Sequence, residues 1–293
     1  MIIKFGKLAV AAATIIALLF SAVPSRSAVE AAAPQQQSKQ NAAVKAKQKS
    51  RPQQKRRQKQ KQRQRKRPAA QKVDMSWVSL HKQYPNAFLL NGPRNLKRVA
   101  LTFDDAPDPR VTPQILDVLS RYRICATFFV VGERASKHPD LVRRIISEGH
   151  VIGNHSYNHP VFSKLPLSKV QHQIWQTDGV IKRIAGVTPL LIRPPYGELL
   201  PQQIRWSKGS GYTIVNWDVD SEDWRRNPSS ARVLANIRKT LQPGSIILQH
   251  AGGGEGQSLD GTIHALPVLI ESLQGKGYEM VTLPELLGKR AYR

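Results

Sequence analysis

The sequence predicts an α/β protein with parallel strands, and two features of its larger, second part support this. From about residue 98, short runs rich in β-branched and aromatic residues alternate with stretches whose apolar residues recur at helical spacing. Polar residues suited to catalysis directly follow several of these runs, as they do at the carboxyl ends of the strands in a (β/α) barrel. Seven runs in succession predict a sheet closed into a barrel, with the helices outside.

The elements follow from these patterns in chain order. The predicted strands are residues 98–103, 126–131, 151–154, 190–193, 213–217, 245–248 and 279–282. The predicted helices are residues 112–122, 140–148, 168–184, 229–241 and 265–275, with a weaker pattern at 201–211. Thr112 and Pro113 are typical of a helix start, with the threonine as N-cap and the proline in the first turn.

The first 75 residues have a different composition and hold most of the net charge of +25. They contain 18 Lys and Arg and two acids, whereas residues 76–293 contain 27 basic and 18 acidic residues. The high isoelectric point therefore does not indicate a nucleic-acid-binding fold. Cys125 is the single cysteine, which excludes an intramolecular disulfide and a Cys-based zinc finger, and its place in a strand-like run predicts a buried core residue.

Residues 1–33 resemble an export signal. Lys4 and Lys7 precede a 16-residue apolar stretch, residues 8–23, and small residues follow at which cleavage is expected. An uncleaved signal anchor is the main alternative, although 16 residues are short for a membrane span, and a buried core helix is a third. With a signal or an anchor, the rest of the chain is exported.

Residues 34–75 are predicted to be a disordered basic linker. From 34 to 72 there are 12 Gln and 15 Lys or Arg, with no acid and almost no large apolar residue, so this segment cannot bury enough apolar surface to fold. It would either adhere to an anionic polymer of the cell envelope or act as a solvated spacer. A nucleic-acid role is not expected, because aromatic residues for base stacking are lacking.

Two motifs in the second part combine metal-binding and acid–base residue types. In TFDDAPD, Asp104 and Asp105 follow the first strand, and alternation along a continuing strand would direct one carboxylate to a metal and the other to a water. In HSYNH, His155 and His159 reach one metal if the loop turns helically. Asp105 is the chosen third ligand, which gives a two-His, one-carboxylate set with open positions. An ordinary Asp/Pro turn and two surface histidines are the structural alternatives.

Three further motifs follow later strands. In RPPYG, the prolines fix a rigid backbone that would hold Arg193 against a carboxylate, and the N–H of Tyr196 could serve as an oxyanion donor. In NWDVDSEDW, an acid would orient a catalytic histidine, and Trp224 would pack against a sugar or an acyl methyl group. In SIILQHAGGG, a strand delivers His250 to a glycine-rich loop where the backbone can approach a ligand. Each has a purely structural alternative as a turn, a polar loop or a strand end.

The five motifs, in this order, resemble those of the polysaccharide deacetylase family, also called the NodB-homology domain or carbohydrate esterase family 4. The resemblance covers residues 98–288, and within the family the sequence resembles bacterial peptidoglycan N-acetylglucosamine deacetylases. It implies a distorted, incomplete (β/α) barrel and a metal-dependent hydrolase, usually with zinc and with Co²⁺ or Mn²⁺ as alternatives, that removes acetyl groups from glycans. Residues 76–97 would be a lead-in segment that resembles no carbohydrate-binding module.

The resemblance also implies a role for each motif residue. Asp104 would be the general base, held by Arg193, and His250 the general acid, tuned by Asp223. The metal ligands and the substrate pocket complete the set: they would be Asp105, His155 and His159 for the metal, and Tyr196, Trp224 and Leu248 for the substrate. Ala106 departs from the family's usual T-F-D-D-G-P, and it would strain the loop if this position needs a positive φ.

These observations predict an exported deacetylase of N-acetylated cell-wall glycan, with peptidoglycan favoured because a basic linker suits an anionic envelope. Chitin oligomers and acetylated xylan are alternative substrates. A wall-binding protein without activity is a rival of another class, and a metal-free amidohydrolase acting on a small nitrogen heterocycle is a third. Contact with a membrane is expected only if the signal segment is not cleaved.

Overall fold

The computed structural model describes residues 55–59, 76–254 and 256–293. The chain divides into two units, residues 1–72 and 73–293. In the first unit, residues 55–59 form a short helical stretch with exposed side chains. The predicted signal segment, residues 1–33, and the remainder of the predicted linker lie outside the described residues, so their assignment stays a prediction. Within the described ranges, no helix is long and apolar enough to cross a membrane.

The second unit contains nine strands and nine α-helices among its described residues. The strands are β1 (Phe88–Leu89), β2 (Arg98–Ala106), β3 (Thr127–Val130), β4 (Val151–Asn154), β5 (Leu191–Ile192), β6 (Thr213–Val215), β7 (Val219–Asp220), β8 (Ile246–His250) and β9 (Glu279–Met280). The helices are α1 (Trp77–Gln83), α2 (Thr112–Tyr122), α3 (Gly132–Lys137), α4 (Pro139–Ser147), α5 (Leu167–Ala185), α6 (Pro201–Gly209), α7 (Ser230–Thr240), α8 (Asp260–Gly275) and α9 (Leu283–Leu287).

The strands form one parallel sheet in the order β1-β6-β5-β4-β3-β2-β8-β7, and β9 pairs with the beginning of β2. No pairing within the described ranges joins β1 to β7, so the sheet is open, as in an incomplete barrel. This confirms the fold that the family resemblance implies. The closed barrel that the seven runs alone suggest is wrong, because the sheet ends on each side in a strand of only two residues.

The predicted elements all occur, and the differences lie in short ones. All seven predicted strands and the weaker helix at α6 are present, whereas β1 and β7 were not predicted. Strands of two residues carry no readable alternation, and β1 lies in the segment taken as a lead-in. Helix α8 also begins five residues earlier than its apolar pattern indicates.

Two local predictions are wrong. Thr112 is the first residue of α2 and not its cap, because its hydroxyl donates to the Ala251 carbonyl and accepts from the Asp108 N–H. Cys125 is exposed, since β3 begins two residues after it.

Strand β2 lies in the middle of the sheet and separates two buried layers. Val99, Leu101 and Phe103 pack in the large apolar cluster that includes residues of α2, α7 and α8. The alternate positions, such as Ala100, belong to a smaller cluster with residues of β3, β5, β6 and β8, on the inner face of the sheet. Asp104 continues this inner series, so the alternation along β2 brings a carboxylate to the inner face at the carboxyl end of the sheet.

Candidate active site

The carboxyl end of β2 carries two adjacent aspartates that face the same histidine. Asp104 is buried, whereas Asp105 has a left-handed backbone with φ of 64°. The pairing of β2 with β3 shifts register between Phe103 and Ala106, which is where this residue lies. The predicted alternation of the two carboxylates is therefore wrong. The turn at Asp105 brings an oxygen of each carboxylate to 3.7 Å from His155 Nε2.

His155 and His159 lie on the loop that follows β4. The spacing of four suggested a helical turn, but this loop is not helical. Ser156 and His159 both have positive φ, and these two residues turn the chain. His159 Nε2 nevertheless lies 3.4 Å from Asp105 Oδ1, and the two imidazoles meet edge to face at 5.0 Å. The loop thus converges on Asp105 by left-handed residues instead of a helical turn.

A hydrogen bond to a backbone carbonyl fixes the tautomer of His155. Its Nδ1 lies 2.7 Å from the Arg193 carbonyl, which can only accept, so Nδ1 carries the proton and Nε2 presents a lone pair. Burial lowers the pKa of His155 to about 3, and the charge of the neighbouring His159 adds to this, against the opposing effects of Asp105 and of the hydrogen bond to the Arg193 carbonyl. The ring is therefore neutral at physiological pH, with its free nitrogen towards the aspartates.

These residues fit a divalent cation. One ligand atom from each of Asp105, His155 and His159 lies within 4.8 Å of the others. Atoms bound at about 2.0–2.1 Å to one tetrahedral zinc ion stand about 3.4 Å apart. Asp105 Oδ1 lies 3.7 Å from His155 Nε2 and 3.4 Å from His159 Nε2, which is close to that spacing. The unprotonated Nε2 of His155 faces carboxylate oxygens with no hydrogen between them. Lone pairs that face one another in this way are stabilised when a cation binds between them.

Arg193 is the buried support of Asp104. Its guanidinium is fully buried and donates to Asp104 Oδ1 at 2.8 Å, to the Thr102 hydroxyl and to the carbonyls of Val215 and Asn216. Burial raises the pKa of Asp104, and Arg193 and His250 only partly offset it. Asp104 is thus a desolvated carboxylate that one strong ion pair keeps in place.

His250, at the end of β8, is held by the buried Asp223. Asp223 accepts from the His250 ring Nδ1 at 2.7 Å, from the His250 backbone N–H and from the Thr262 hydroxyl. Burial would lower the pKa of His250, but the charge and hydrogen bond of Asp223, with help from Asp105 and Asp104, raise it to about 9. The imidazole is therefore positively charged at neutral pH and presents its other nitrogen, Nε2, to the cleft that it lines.

The cleft above these groups has a volume of about 370 Å³ and brings the predicted pocket residues together. Leu248 lies at its base and is buried, whereas Tyr196 and Trp224 are about half exposed at its rim. The Tyr196 ring meets His159 edge to face at 4.9 Å, and its backbone is left-handed. All ten predicted site residues thus either line this cleft or bond directly to a residue that does.

Three lining residues, Trp217, Asp220 and Gln257, were not predicted. Asp220 accepts from the indole N–H of Trp224 at 3.3 Å and so steadies that ring. Asp220 is one of four acids in nine residues, a density that indicated a functional segment, but the sequence could not tell which of the four acids reach the cleft. Gln257 donates to the Trp224 carbonyl from a loop whose glycine-rich sequence gave no such indication.

Ala106 does not strain the first motif. It lies buried in β2, accepts a hydrogen bond from the Val131 N–H and is not one of the residues with positive φ. The expected strain at this position is therefore wrong, and the left-handed residue of the motif is Asp105.

Comparison with known proteins agrees with this geometry. Residues 91–215 match the family model described as polysaccharide deacetylase. A peptidoglycan-N-acetylglucosamine deacetylase of Bacillus cereus is 44% identical over 211 residues, which span 72% of this chain and 74% of that protein. A chitooligosaccharide deacetylase of Bradyrhizobium is 36% identical over 65% of this chain and 90% of its own length.

A solved structure shows the same likeness in three dimensions. It is a peptidoglycan N-acetylglucosamine deacetylase in complex with an N-oxidanyl-benzamide, with a TM-score of 0.70, 42% identity and coverage of 73% of this chain and 98% of that one. The chain therefore belongs to the polysaccharide deacetylase family, whose members are metal-dependent hydrolases. Within that family its relatives include deacetylases of peptidoglycan.

Proposed function

We propose that this protein is an exported deacetylase that hydrolyses the N-acetyl groups of peptidoglycan. The observation that carries the proposal is the pairing, in one cleft, of a ligand set for a divalent cation with a carboxylate held by Arg193 and a charged histidine held by Asp223. Peptidoglycan is favoured because the relative with 44% identity is named for that substrate. The basic linker supports it too, since it would be attracted to an anionic envelope.

Asp105, His155 and His159 would hold the cation. When bound, a divalent ion there, zinc by preference, supplies charge that polarises the acetyl carbonyl and makes a nearby water more acidic. The chain keeps this set ready by fixing the neutral tautomer of His155 through the Arg193 carbonyl.

Asp104 would act as the general base. Arg193 fixes one of its oxygens, Oδ1, and leaves Oδ2 on the side of His155. Because burial raises its pKa, this carboxylate accepts a proton from the attacking water more readily than a solvated one. The ion pair with Arg193 opposes this effect and favours the ionised form, which is the form that a general base needs.

His250 would act as the general acid. With a pKa of about 9 it is protonated at neutral pH, and Asp223 occupies Nδ1, so Nε2 is the nitrogen that gives its proton to the leaving sugar amine. The backbone N–H of Tyr196 would stabilise the developing oxyanion. Leu248 and Trp224 would receive the acetyl methyl group in the apolar part of the cleft.

The first test is acetate release from N-acetylated peptidoglycan by the purified protein, before and after treatment with a chelator. Activity should stop on chelation and return with Zn²⁺, and the same titration with Co²⁺ and Mn²⁺ ranks the metals. Chitin oligomers and acetylxylan serve as competing substrates. A preference for chitin oligomers would replace the substrate in this proposal, and metal-loaded protein inactive on all three would favour the wall-binding alternative.

Export and wall adhesion are tested separately in cells. The protein should be found outside the cytoplasm, and removal of residues 34–72 should reduce its retention on isolated walls without changing turnover of soluble glycan. Cytoplasmic protein would contradict the export proposal. Unchanged retention would assign the linker a spacer role.

A further inference from the structure

We propose that Arg134 is a positioning residue for the metal site, because it ties the carboxyl end of β2, which carries Asp105, to the loop that follows His250. This inference rests on the proposed role of Asp105 as a metal ligand. Arg134 belongs to none of the five motifs and lies on α3, between the first two of them.

The contacts of Arg134 form a clasp between the carboxyl end of β2 and the loop that follows β8. Its Nη1 donates to the Asp105 carbonyl at 3.0 Å, and its Nη2 donates to the Gly253 carbonyl, also at 3.0 Å. The two N–H groups lie at the same end of a planar guanidinium, so one rigid fork sets the separation of the two carbonyls. The side chain is 29% exposed, so both bonds are partly shielded from water.

The first carbonyl belongs to a residue whose backbone conformation needs support from its neighbours. Asp105 has a φ of 64°, a region that costs energy for a residue with a Cβ and persists where neighbours hold it. This backbone turn directs the carboxylate towards both His155 and His159. A hydrogen bond that fixes the Asp105 carbonyl therefore also fixes the direction of its side chain.

In the loop that follows β8, Gly252 leaves the space that the guanidinium of Arg134 occupies. A Cβ at Gly252 would lie 2.1 Å from Arg134 Nη1 and 2.4 Å from the Asp105 carbonyl oxygen. Only a residue without a side chain lets these three groups meet. Gly252 follows His250 by two residues, so the clasp joins the loop after the proposed acid to the end of β2 that carries the proposed ligand Asp105.

A nearby carboxylate, Asp108, offsets part of the positive charge of Arg134, which would otherwise repel a cation. Asp108 is buried and lies 3.7 Å from Arg134 Nη1, and Arg110 binds it at 2.9 Å. Burial would raise the pKa of Asp108, but the hydrogen bonds and charges of Arg110 and Arg134 lower it overall, so Asp108 is ionised. Arg110 donates to Asp108 and not to the Asp105 or Gly253 carbonyl, which makes it a matched control.

The test is the Zn²⁺ dissociation constant of Arg134→Met and Arg110→Met, measured in the full-length protein by competition with a chromophoric chelator. Both variants lose a partner of Asp108, but only Arg134→Met loses the clasp. We expect at least about tenfold weaker binding for Arg134→Met, equal to about 1.4 kcal/mol, and a change of less than about twofold for Arg110→Met. Arg134→Lys should fall between them, because an ammonium group cannot span both carbonyls.

A second pair of variants leaves the arginine in place. Gly252→Ala should weaken Zn²⁺ binding as Arg134→Met does, whereas Gly254→Ala, whose Cβ has no neighbour closer than 3.9 Å, should not. This pair decides the question if Arg134→Met does not fold. Unchanged affinity in Gly252→Ala and Arg134→Lys would overturn the inference, whereas a native protein that binds no Zn²⁺ would overturn the metal site itself.

Discussion

Two buried histidines stand at opposite ends of β4, and they differ in what the backbone allows them to do. His150 precedes the strand and His155 follows it, and burial is the first cause that lowers both pKa values, to about 4 and about 3 respectively. His155 Nδ1 donates to a carbonyl, whereas His150 Nδ1 accepts from the Ala126 N–H. The proton of His150 is therefore on Nε2, which lies 3.8 Å from Glu148 Oε2.

The difference indicates that the tautomer, more than burial, distinguishes the proposed metal ligand His155 from the structural His150. An Nε2 that carries a proton cannot ligate a metal, so His150 is confined to packing, edge to face against Phe128 at 5.3 Å. His155 presents a lone pair to the two aspartates at the other end of the same strand. The contrast extends to the sheet as a whole, whose carboxyl end collects the proposed metal ligands, the proposed base and the proposed acid.

The largest effect should come from removing a ligand at the carboxyl end. Asp105→Asn and His155→Gln are expected to lose Zn²⁺ and to lower deacetylation by about a thousandfold or more, because the charge that polarises the acetyl group is then absent. Metal content by atomic absorption and acetate release measure this. His150→Gln is the control and should keep both. Full metal occupancy in His155→Gln would refute the assigned ligand.

Next in size should be the effect of Asp223→Asn on the proposed acid. Asp223 raises the pKa of His250, so its neutral replacement should lower that pKa and move the alkaline limb of the activity profile to lower pH by at least about one unit. Turnover at neutral pH should fall by about 10- to 100-fold. The pH dependence of kcat tests this.

Glu222→Gln is the control for that profile. Glu222 carries a carboxylate one residue away but pairs with Arg225 instead of His250. An alkaline limb that stays in place in Asp223→Asn would show that another group sets it.

A smaller effect, on stability, should come from His150. Its folded-state pKa of about 4 lies below its ordinary value of 6.5, so the folded state resists protonation, and stability is lost as pH falls from about 6.5 towards 4. From pH 7.5 to pH 5 this group should remove about 2 kcal/mol from the free energy of unfolding. Urea unfolding of the native protein and of His150→Gln at both pH values measures the difference.

The variant should lose less stability on acidification than the native protein, since glutamine accepts from the Ala126 N–H but does not titrate. His264→Gln, at an exposed histidine, should behave as the native protein does. Equal acid sensitivity in all three would assign the loss to other groups.

The smallest effect should come from Ala106→Gly, although Ala106 lies at the carboxyl end of β2 next to Asp105. Because Ala106 has no positive φ, restoring the residue that is usual in the family relieves no strain, and kcat should change by less than about twofold. Steady-state kinetics with saturating Zn²⁺ test this. A large gain in activity would show that this loop limits the enzyme after all.

The sequence was sufficient wherever a pattern is local. The apolar alternation of β2 and the helical spacing of α2 and α5 identify these elements to within a few residues, because period and length are properties of consecutive residues. The rule that catalytic groups follow parallel strands then places Asp104, His155 and His250 at one edge of the sheet. The family resemblance assigns the roles.

Tertiary structure decided what depends on partners distant in the sequence. The proton position of His155 depends on a carbonyl 38 residues away, and the turn at Asp105 is held by an arginine 29 residues away. Neither contact is visible in the sequence as a periodic pattern. A single long-range hydrogen bond constrains only two atoms, so it requires no repeating pattern of side chains. The residue types of the site were thus readable from the sequence. The proton position of His155 and the direction of Asp105 arise only when their distant hydrogen-bond partners meet them in the folded sheet.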